Sequence, residues 1–178
     1  MGEAVPVRHV ALLRGINVGG GNKVDMAALR SAFEAAGFTD VVTYLNTGNV
    51  VFTGKASVKA LESVVAGAAG FDVPVLLRSG AELATVVEAI PAAWVASKDD
   101  RCEVLFLGRE DDDPGVVDQL VHNPEVEELA YVPGAVLWHL DRTRHTKSRM
   151  TTMIGTDLYR RMSVRSAGTV RKLVALTA

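Results

Sequence analysis

Residues 41–53, Val41-Val42-Thr43-Tyr44-Leu45-Asn46-Thr47-Gly48-Asn49-Val50-Val51-Phe52-Thr53, decide the fold. They hold two short runs of β-branched and aromatic residues, Val41 to Asn46 and Val50 to Thr53. Between the runs stands Thr47-Gly48-Asn49, where Gly and Asn supply the positive φ of a tight hairpin. A helix is predicted on each side. Before the hairpin, Asp25 is an N-cap, Met26, Leu29, Phe33 and Ala36 recur at helical spacing, and Gly37 ends the run. After it, Ser57 caps a stretch carrying Val58, Leu61, Val64, Val65 and Ala68, which stops at Gly70. Outermost lie two more β-rich runs, Val7 to Arg14 (VRHVALLR) and Val73 to Arg78. The order β-α-β-β-α-β is that of a ferredoxin-like unit.

Further on, Ser79 and Glu82 form a capping box that opens a connecting helix with Leu83, Val86, Val87 and Ile90. Pro91 stands at its end, and 91–101 reads as a link. The second half follows the first in outline. Cys102 to Leu107 is a strand. Asp113-Pro114 starts a helix with Val116, Val117, Leu120 and Val121. Val126 to Val132 and Ala135 to Leu140 are strands joined around Pro133-Gly134. A basic loop and a helix with Met150, Met153, Ile154, Leu158 and Met162 come next, then a last helix with Val170, Leu173, Val174 and Leu176. The expected fold is α+β, a tandem pair of ferredoxin-like (βαββαβ) units with antiparallel sheets. The units span 1–78 and 102–178, joined by 79–101, and the second ends in helices where a fourth strand is due. The two halves share a pattern and no residue-level repeat. Trp94 and Trp138 are expected to fill the junction or the second core.

Composition sets the outer limits. The chain has 178 residues, 48% of them apolar and 22% charged, with a mean hydropathy of +0.19. That excludes a disordered chain. The apolar stretch Leu129 to Leu140 is broken by Pro133 and Gly134 and falls short of the ~18 residues of a spanning helix. With no export signal at the N-terminus, a cytoplasmic protein without a membrane is expected. Cys102 is the single cysteine, so an internal disulfide framework is excluded. It shares a strand face with Val104 and Phe106 and reads as a core residue. The four histidines show no i, i+2 or i, i+4 pair, and neither a metal nor a cofactor is expected. A chain of this size buries about 70% of its unfolded surface, enough for a monomer or a small homo-oligomer.

Charge is unevenly placed. The net charge of −2 conceals 10 Lys/Arg against 19 Asp/Glu in residues 1–138, and 9 against 2 in residues 139–178. Such asymmetry marks a possible anion-binding face.

Two places carry candidate chemistry. In the first half, the loop after the first strand and the turn after the second emerge at the same edge of the sheet. This gathers Arg14, Asn17, Gly19, Gly20, Asn22, Lys23, Asn46 and Asn49 at one rim. Gly-rich backbone and the helix start at Asp25 expose N–H groups suited to phosphate or carboxylate, although Asp25 itself repels an anion. The loop lacks the Gly-Lys-Ser/Thr of a phosphate-binding loop and the Gly-x-Gly-x-x-Gly of a dinucleotide site. Its glycines are equally read as turn formers. The second place is Asp141-Arg142-Thr143-Arg144-His145-Thr146-Lys147-Ser148-Arg149, with Lys147, Ser148 and, further on, Arg165 as ligand-binding candidates. Thr146 and Ser148 suit a helix cap, and Tyr159 or Trp138 a stacking surface for bases. A solvated surface loop is the alternative. Glu110-Asp111-Asp112-Asp113 is a polar loop and N-cap rather than a Mg²⁺ site.

Ala11-Leu12-Leu13-Arg14-Gly15-Ile16-Asn17-Val18-Gly19-Gly20, Met26-Ala27-Ala28-Leu29-Arg30 and Thr43-Tyr44-Leu45-Asn46-Thr47-Gly48-Asn49-Val50-Val51-Phe52 together resemble the bacterial domain-of-unknown-function 1697 family. Lys147-Ser148 and Tyr159-Arg160-Arg161-Met162-Ser163-Val164-Arg165 are similar to that family's ending. Where the family continues with an Asn-Trp-type sequence, this chain has Ser166-Ala167-Gly168. The resemblance implies a tandem ferredoxin-like, cytoplasmic protein of unassigned activity, and it supplies no catalytic residue.

The function expected from the residues is a binding module for an anionic ligand, a phosphate-containing small molecule or a nucleic-acid phosphate, held by the 15–23 and 142–149 loops. Two other classes stay open. One is an enzyme acting on a phosphorylated small molecule or nucleotide, with Lys23 or Lys147 as electrostatic stabiliser. The other is a protein-interaction or oligomerisation domain.

Overall fold

The structure, a computed structural model, describes residues 7–178. The chain forms two units. Unit 1 runs to Leu83 and takes in Leu173–Ala178, and unit 2 is Ala84–Lys172.

Unit 1 starts with β1 (Arg8–Leu13), α1 (Met26–Ala35), β2 (Thr39–Tyr44), β3 (Asn49–Thr53), α2 (Val58–Ala69) and β4 (Val75–Ser79). Its sheet has the order β2-β3-β1-β4, and each neighbouring pair is antiparallel. Alternation in β1 sends Ala11 and Leu13 into a core with Leu29 and Phe33 of α1 and Leu61 and Val65 of α2. Phe52 anchors this core. The Phe38 and Phe33 rings lie 4.7 and 5.5 Å from its own. The caps fall as the sequence predicts. Asp25 accepts from the N–H groups of Ala27 and Ala28, Ser57 accepts from that of Ala60, and Gly70 closes α2 at φ 82°.

The hairpin differs from its expectation. The turn is Leu45–Gly48, and Asn49 already belongs to β3, fully buried. Positive φ falls on Leu45 (58°) and Gly48 (89°) rather than on Asn49. Asn49 instead donates to the Tyr44 carbonyl and to Thr47 Oγ1, tying the turn from within.

The helix α3 (Gly80–Glu88) follows β4. Its capping box is formed: Ser79 N–H donates to Glu82 Oε2 at 2.6 Å, and Glu82 N–H to Ser79 Oγ at 3.2 Å.

Unit 2 holds β5 (Asp100–Phe106), β6 (Glu127–Val132), β7 (Ala135–Asp141), α4 (Asp157–Arg161), β8 (Ser163–Ser166) and the start of α5 (Ala167–Thr177). Its sheet, also antiparallel, has the order β6-β7-β5-β8. This repeats the order of the first sheet strand for strand.

Three expectations need correction. A fourth strand is present: Ser163–Ser166 pairs with Glu103–Phe106 of β5. The helix expected from Met150 through Met162 is instead a 3-10 turn over Met150–Met153, then α4. Gly155 (φ 93°) interrupts it, and Thr156 caps α4 through the Tyr159 N–H. Ile154, which the helical spacing makes apolar core, is 63% exposed. The helix begun by Asp113-Pro114 is a 3-10 turn, Pro114–Gln119, with Asp113 accepting from Gly115 N–H.

Trp138 lies in the second core with Leu105, Val136, Leu140, Met153 and Met162. Its burial removes it as a stacking surface. Trp94 is buried too, stacked on His139 at 5.4 Å. No helix of the described residues is long and apolar enough to cross a membrane.

Candidate functional site

The unit 1 rim forms as its topology requires. Because β1 and β2 both run antiparallel to β3, their C-terminal ends lie together. Asn17, at φ 53°, is the fastener. Its side chain accepts from Val24 N–H at 2.9 Å and donates to Val24 O at 3.2 Å and to Asn46 O at 2.7 Å. Asn22, also at positive φ, donates to Gly15 O. Leu13 N–H donates to Gly48 O at 2.8 Å. Gly48 must be glycine: a Cβ there meets Leu13 Cβ at 2.7 Å and Ile16 Cδ1 at 2.8 Å. The asparagines thus shape the loop. Gly19, Gly20 and Lys23 are exposed, Asn46 contributes its carbonyl, and Arg14 N–H donates to Pro74 O. The first amides of α1 are already capped by the Asp25 carboxylate, so the expected anion would meet a carboxylate where it needs donors.

In unit 2 the basic loop is built around a carboxylate. Glu127 is 2% exposed. Its Oε2 accepts from the N–H of Asn123 (2.6 Å) and Arg149 (3.1 Å), and its Oε1 from Met150 N–H (3.2 Å) and the Ser148 hydroxyl. Burial opposes its charge, yet these donors together hold its carboxyl below the usual carboxylate range. Ser148 therefore serves Glu127. Asn123 adds a bond to the Lys147 carbonyl. The loop itself, Arg142–Lys147, is a 3-10 turn capped by Asp141, which accepts from Thr143 N–H and Oγ1–H.

With its two ends tied in this way, the loop leaves Arg142, Arg144, His145, Lys147 and Arg149 exposed. Among the described residues none of these four Lys and Arg side chains has a carboxylate within 4.0 Å. The neighbouring arginines differ. Arg161 makes a bidentate pair with Asp111, both bonds 2.8 Å, and Arg160 pairs with Asp157 at 3.3 Å. Arg165 is buried on β8, donates to Val164 O, and is pushed down to about 10 by burial.

Sequence reading missed His139. Its ring lies between two carboxylates, Nε2 2.8 Å from Asp100 and Nδ1 3.2 Å from Glu128, with Trp94 stacked on it. Both ring nitrogens of His139 are thus engaged by carboxylates. Cys102, its cross-strand partner, is no nucleophile: burial and then the Glu103 charge push its thiol up to about 11. A cleft of about 520 Å³ in unit 1 is lined in part by Arg8, Arg30, Glu34 and Asp40. Its cations are engaged, Arg30 with Glu34 at 2.9 Å and Arg8 with the Asp40 carbonyl at 3.0 Å.

These features define a class: a mixed α+β protein with two four-stranded antiparallel sheets and no assembled catalytic set among the described residues. A family model described as a protein of unknown function (DUF1697) matches residues 7–138, and the chain belongs to that family. Among solved structures it is similar to the conserved bacterial protein SP0830 from Streptococcus pneumoniae, with 28% identity and a TM-score of 0.83 over 98% of this chain and 100% of that one. No curated protein matches it.

Proposed function

We propose that this chain is a binding module for phosphate-containing anions, acting through the 142–149 loop of two ferredoxin-like halves, 1–78 and 102–178, joined by 79–101. One observation carries the reading: Asp141 caps the loop at its start and the buried Glu127 carboxylate holds its end at 148–150, while Arg142, Arg144, Lys147 and Arg149 stand exposed without a counter-ion among the described residues. Fixing the backbone in advance lowers the ordering cost of binding. Exposed cations give an affinity that depends steeply on salt. The unit 1 rim takes no direct part, because Asp25 caps its helix and Asn17 and Asn22 are engaged within the loop.

The test is binding of inorganic polyphosphate across salt concentrations. Arg144→Ala and Lys147→Ala are each expected to weaken binding and to reduce the salt slope by about one contact. Lys23→Ala should leave both unchanged. Equal affinity for the wild type and both loop variants would overturn the proposal.

A further inference from the structure

Beside the basic loop, on the core face of the second sheet, lies a cavity of about 380 Å³ lined by Arg101, Leu140, Arg142 and His145. We propose that it is a site for one small tetrahedral dianion, the headgroup of a phosphomonoester, and that His145 makes the affinity pH-dependent. This rests on the anion-binding reading of the loop and goes further, naming a pocket, a ligand size and a proton.

The chemistry follows from the lining. Arg101 comes from β5 and Arg142 from the start of the loop, so two guanidinium groups from separate elements border one space. Leu140, 2% exposed, gives it an apolar wall. Arg101 is held in place from two sides: its Cζ lies 5.2 Å from the centre of the Trp138 ring, and its Nε donates to Glu103 at 2.9 Å. The remaining guanidinium nitrogens of Arg101 keep donors that this pair does not use. Arg142 is held through its backbone, its N–H donating to Asp99 O at 2.8 Å. One held guanidinium, that of Arg101, beside that of Arg142, unengaged among the described residues, suits a tetrahedral anion, since each presents a planar fork of donors.

His145 decides the proton. Its Nδ1 lies 2.9 Å from the Arg142 carbonyl oxygen. A carbonyl can only accept, so Nδ1 must carry the hydrogen and Nε2 is the atom left for a ligand. In the neutral ring Nε2 presents a lone pair and repels an anion; in the protonated ring it donates to one. A bound dianion therefore favours imidazolium, and binding must strengthen as the ring protonates. The charged groups around the ring are Arg142, Arg144 and Lys147 on its own turn and Asp141 before it. Arg101, paired with Glu103, borders the same cavity from β5. Asp100 points to the other face of the sheet and is bonded to His139, and Glu127 lies under residues 148–150. None of the carboxylates among them is hydrogen-bonded to His145, so the response to an anion at Nε2 falls on the imidazole.

The experiment uses sulfate, which stays a dianion from pH 5.5 to 8, and reads binding to the full chain from ¹⁵N shifts of the arginine and histidine side chains. The His145 ring should show the Nδ1–H tautomer at high pH. Sulfate should bind about tenfold or more tightly at pH 5.5 than at pH 8. Arg101→Ala and Arg142→Ala should each cost about tenfold, the scale of a charge-assisted hydrogen bond. His145→Ala should abolish the rise in affinity at low pH. His145→Gln, which keeps a donor without a titration, separates loss of the proton from loss of the fold. A pH-independent affinity, or an Nε2–H tautomer, overturns the inference. If polyphosphate binds through Arg144 and Lys147 while sulfate shifts nothing in the cavity, the pocket is refuted and the loop reading stands. If neither binds, both fall.

Discussion

The Gly-rich rim of unit 1 and the basic loop of unit 2 meet the same local problem in opposite ways. Each is a stretch of irregular chain with amide groups that no strand or helix satisfies. At the rim the answer is neutral or outward: Asn17 and Asn22 bond backbone carbonyls, and the one carboxylate, Asp25, sits exposed on the helix it caps. In unit 2 the answer is an inward carboxylate, Glu127, which gathers three amides and a hydroxyl and leaves the cations facing out. Glycines and a helix start do not by themselves make an anion site. What decides is where the chain places its own negative charge.

The largest effect should come from removing that charge. Glu127→Ala leaves the part-buried N–H groups of Asn123 and Arg149 and the Ser148 hydroxyl without their acceptor, while Met150 N–H keeps only Ser148 Oγ. At ~1–3 kcal/mol for each orphaned donor, the loss should be about 3 kcal/mol or more. Glu127→Gln tests the same point at constant size: both oxygens of Glu127 accept, so the amide nitrogen of Gln must face a donor whichever way it turns. Urea denaturation measures both. A drop of less than ~1 kcal/mol in each would show that the loop does not hang on this carboxylate.

Gly48→Ala probes the rim in the same currency. Alanine at φ 89° is strained, and its Cβ would sit 2.7 Å from Leu13 Cβ, an atom fixed to the backbone of β1. Left-handed strain of ~1–2 kcal/mol and overpacking of ~1–3 kcal/mol predict a loss of roughly 2–5 kcal/mol. A loss confined to less than ~0.5 kcal/mol would mean that the turn moves freely away from β1.

Acid should separate the two units. Asp100, Asp111, Glu127 and Asp141, whose carboxyls are held below their ordinary range, all lie in unit 2. Their causes are hydrogen bonds: His139 for Asp100, Arg161 for Asp111, and Thr143 for Asp141. For Glu127 burial works the other way and its four donors prevail. A carboxyl with a lowered folded pKa stabilises the fold above its unfolded value and stops doing so as pH falls through the folded one. Amides of β5 to β7 should therefore lose hydrogen-exchange protection below about pH 4 before those of β1 to β4. Simultaneous loss in both sheets would contradict this.

Why the first half is the more legible follows from the residues. Asp25, Ser57, Gly37 and Gly70 punctuate unit 1 where helices begin and end, and the apolar spacing between them agrees with the outcome. In unit 2 the decisive signals are distant. Ser163–Ser166 is short, polar at three of its four positions and without apolar alternation; it is a strand because β5, some 60 positions earlier, offers Glu103–Phe106 as partner. Glu127 reads as one more surface acid because its donors at 148–150 lie more than twenty residues on. The Met150–Met162 periodicity suggested a helix, although Gly155-Thr156 in its middle is a stop followed by a cap. A residue-level echo was also present. Arg78-Ser79 ends β4 and Arg165-Ser166 ends β8, and in each the serine hydroxyl accepts from the N–H three residues on, in Glu82 and Thr169. Two residues are too few to register as a repeat until the sheets are aligned.

The smallest predicted effect has the opposite sign. Leu45 holds φ 58° while half of its side chain is exposed. Leucine pays about 1–2 kcal/mol for that conformation, and asparagine tolerates it better. Leu45→Asn gives up part of a half-exposed apolar contact and relieves part of the strain, so it should stabilise the fold by roughly 0.5 kcal/mol. Glycine relieves more strain and loses more unfolded-state entropy, so Leu45→Gly should fall near the wild type. Thermal melts of the two variants distinguish them. Destabilisation by both would mean that the leucine side chain, next in sequence to the Asn46 carbonyl that Asn17 grips, holds the rim by packing, and that the rim is fixed by an apolar contact as much as by its amides.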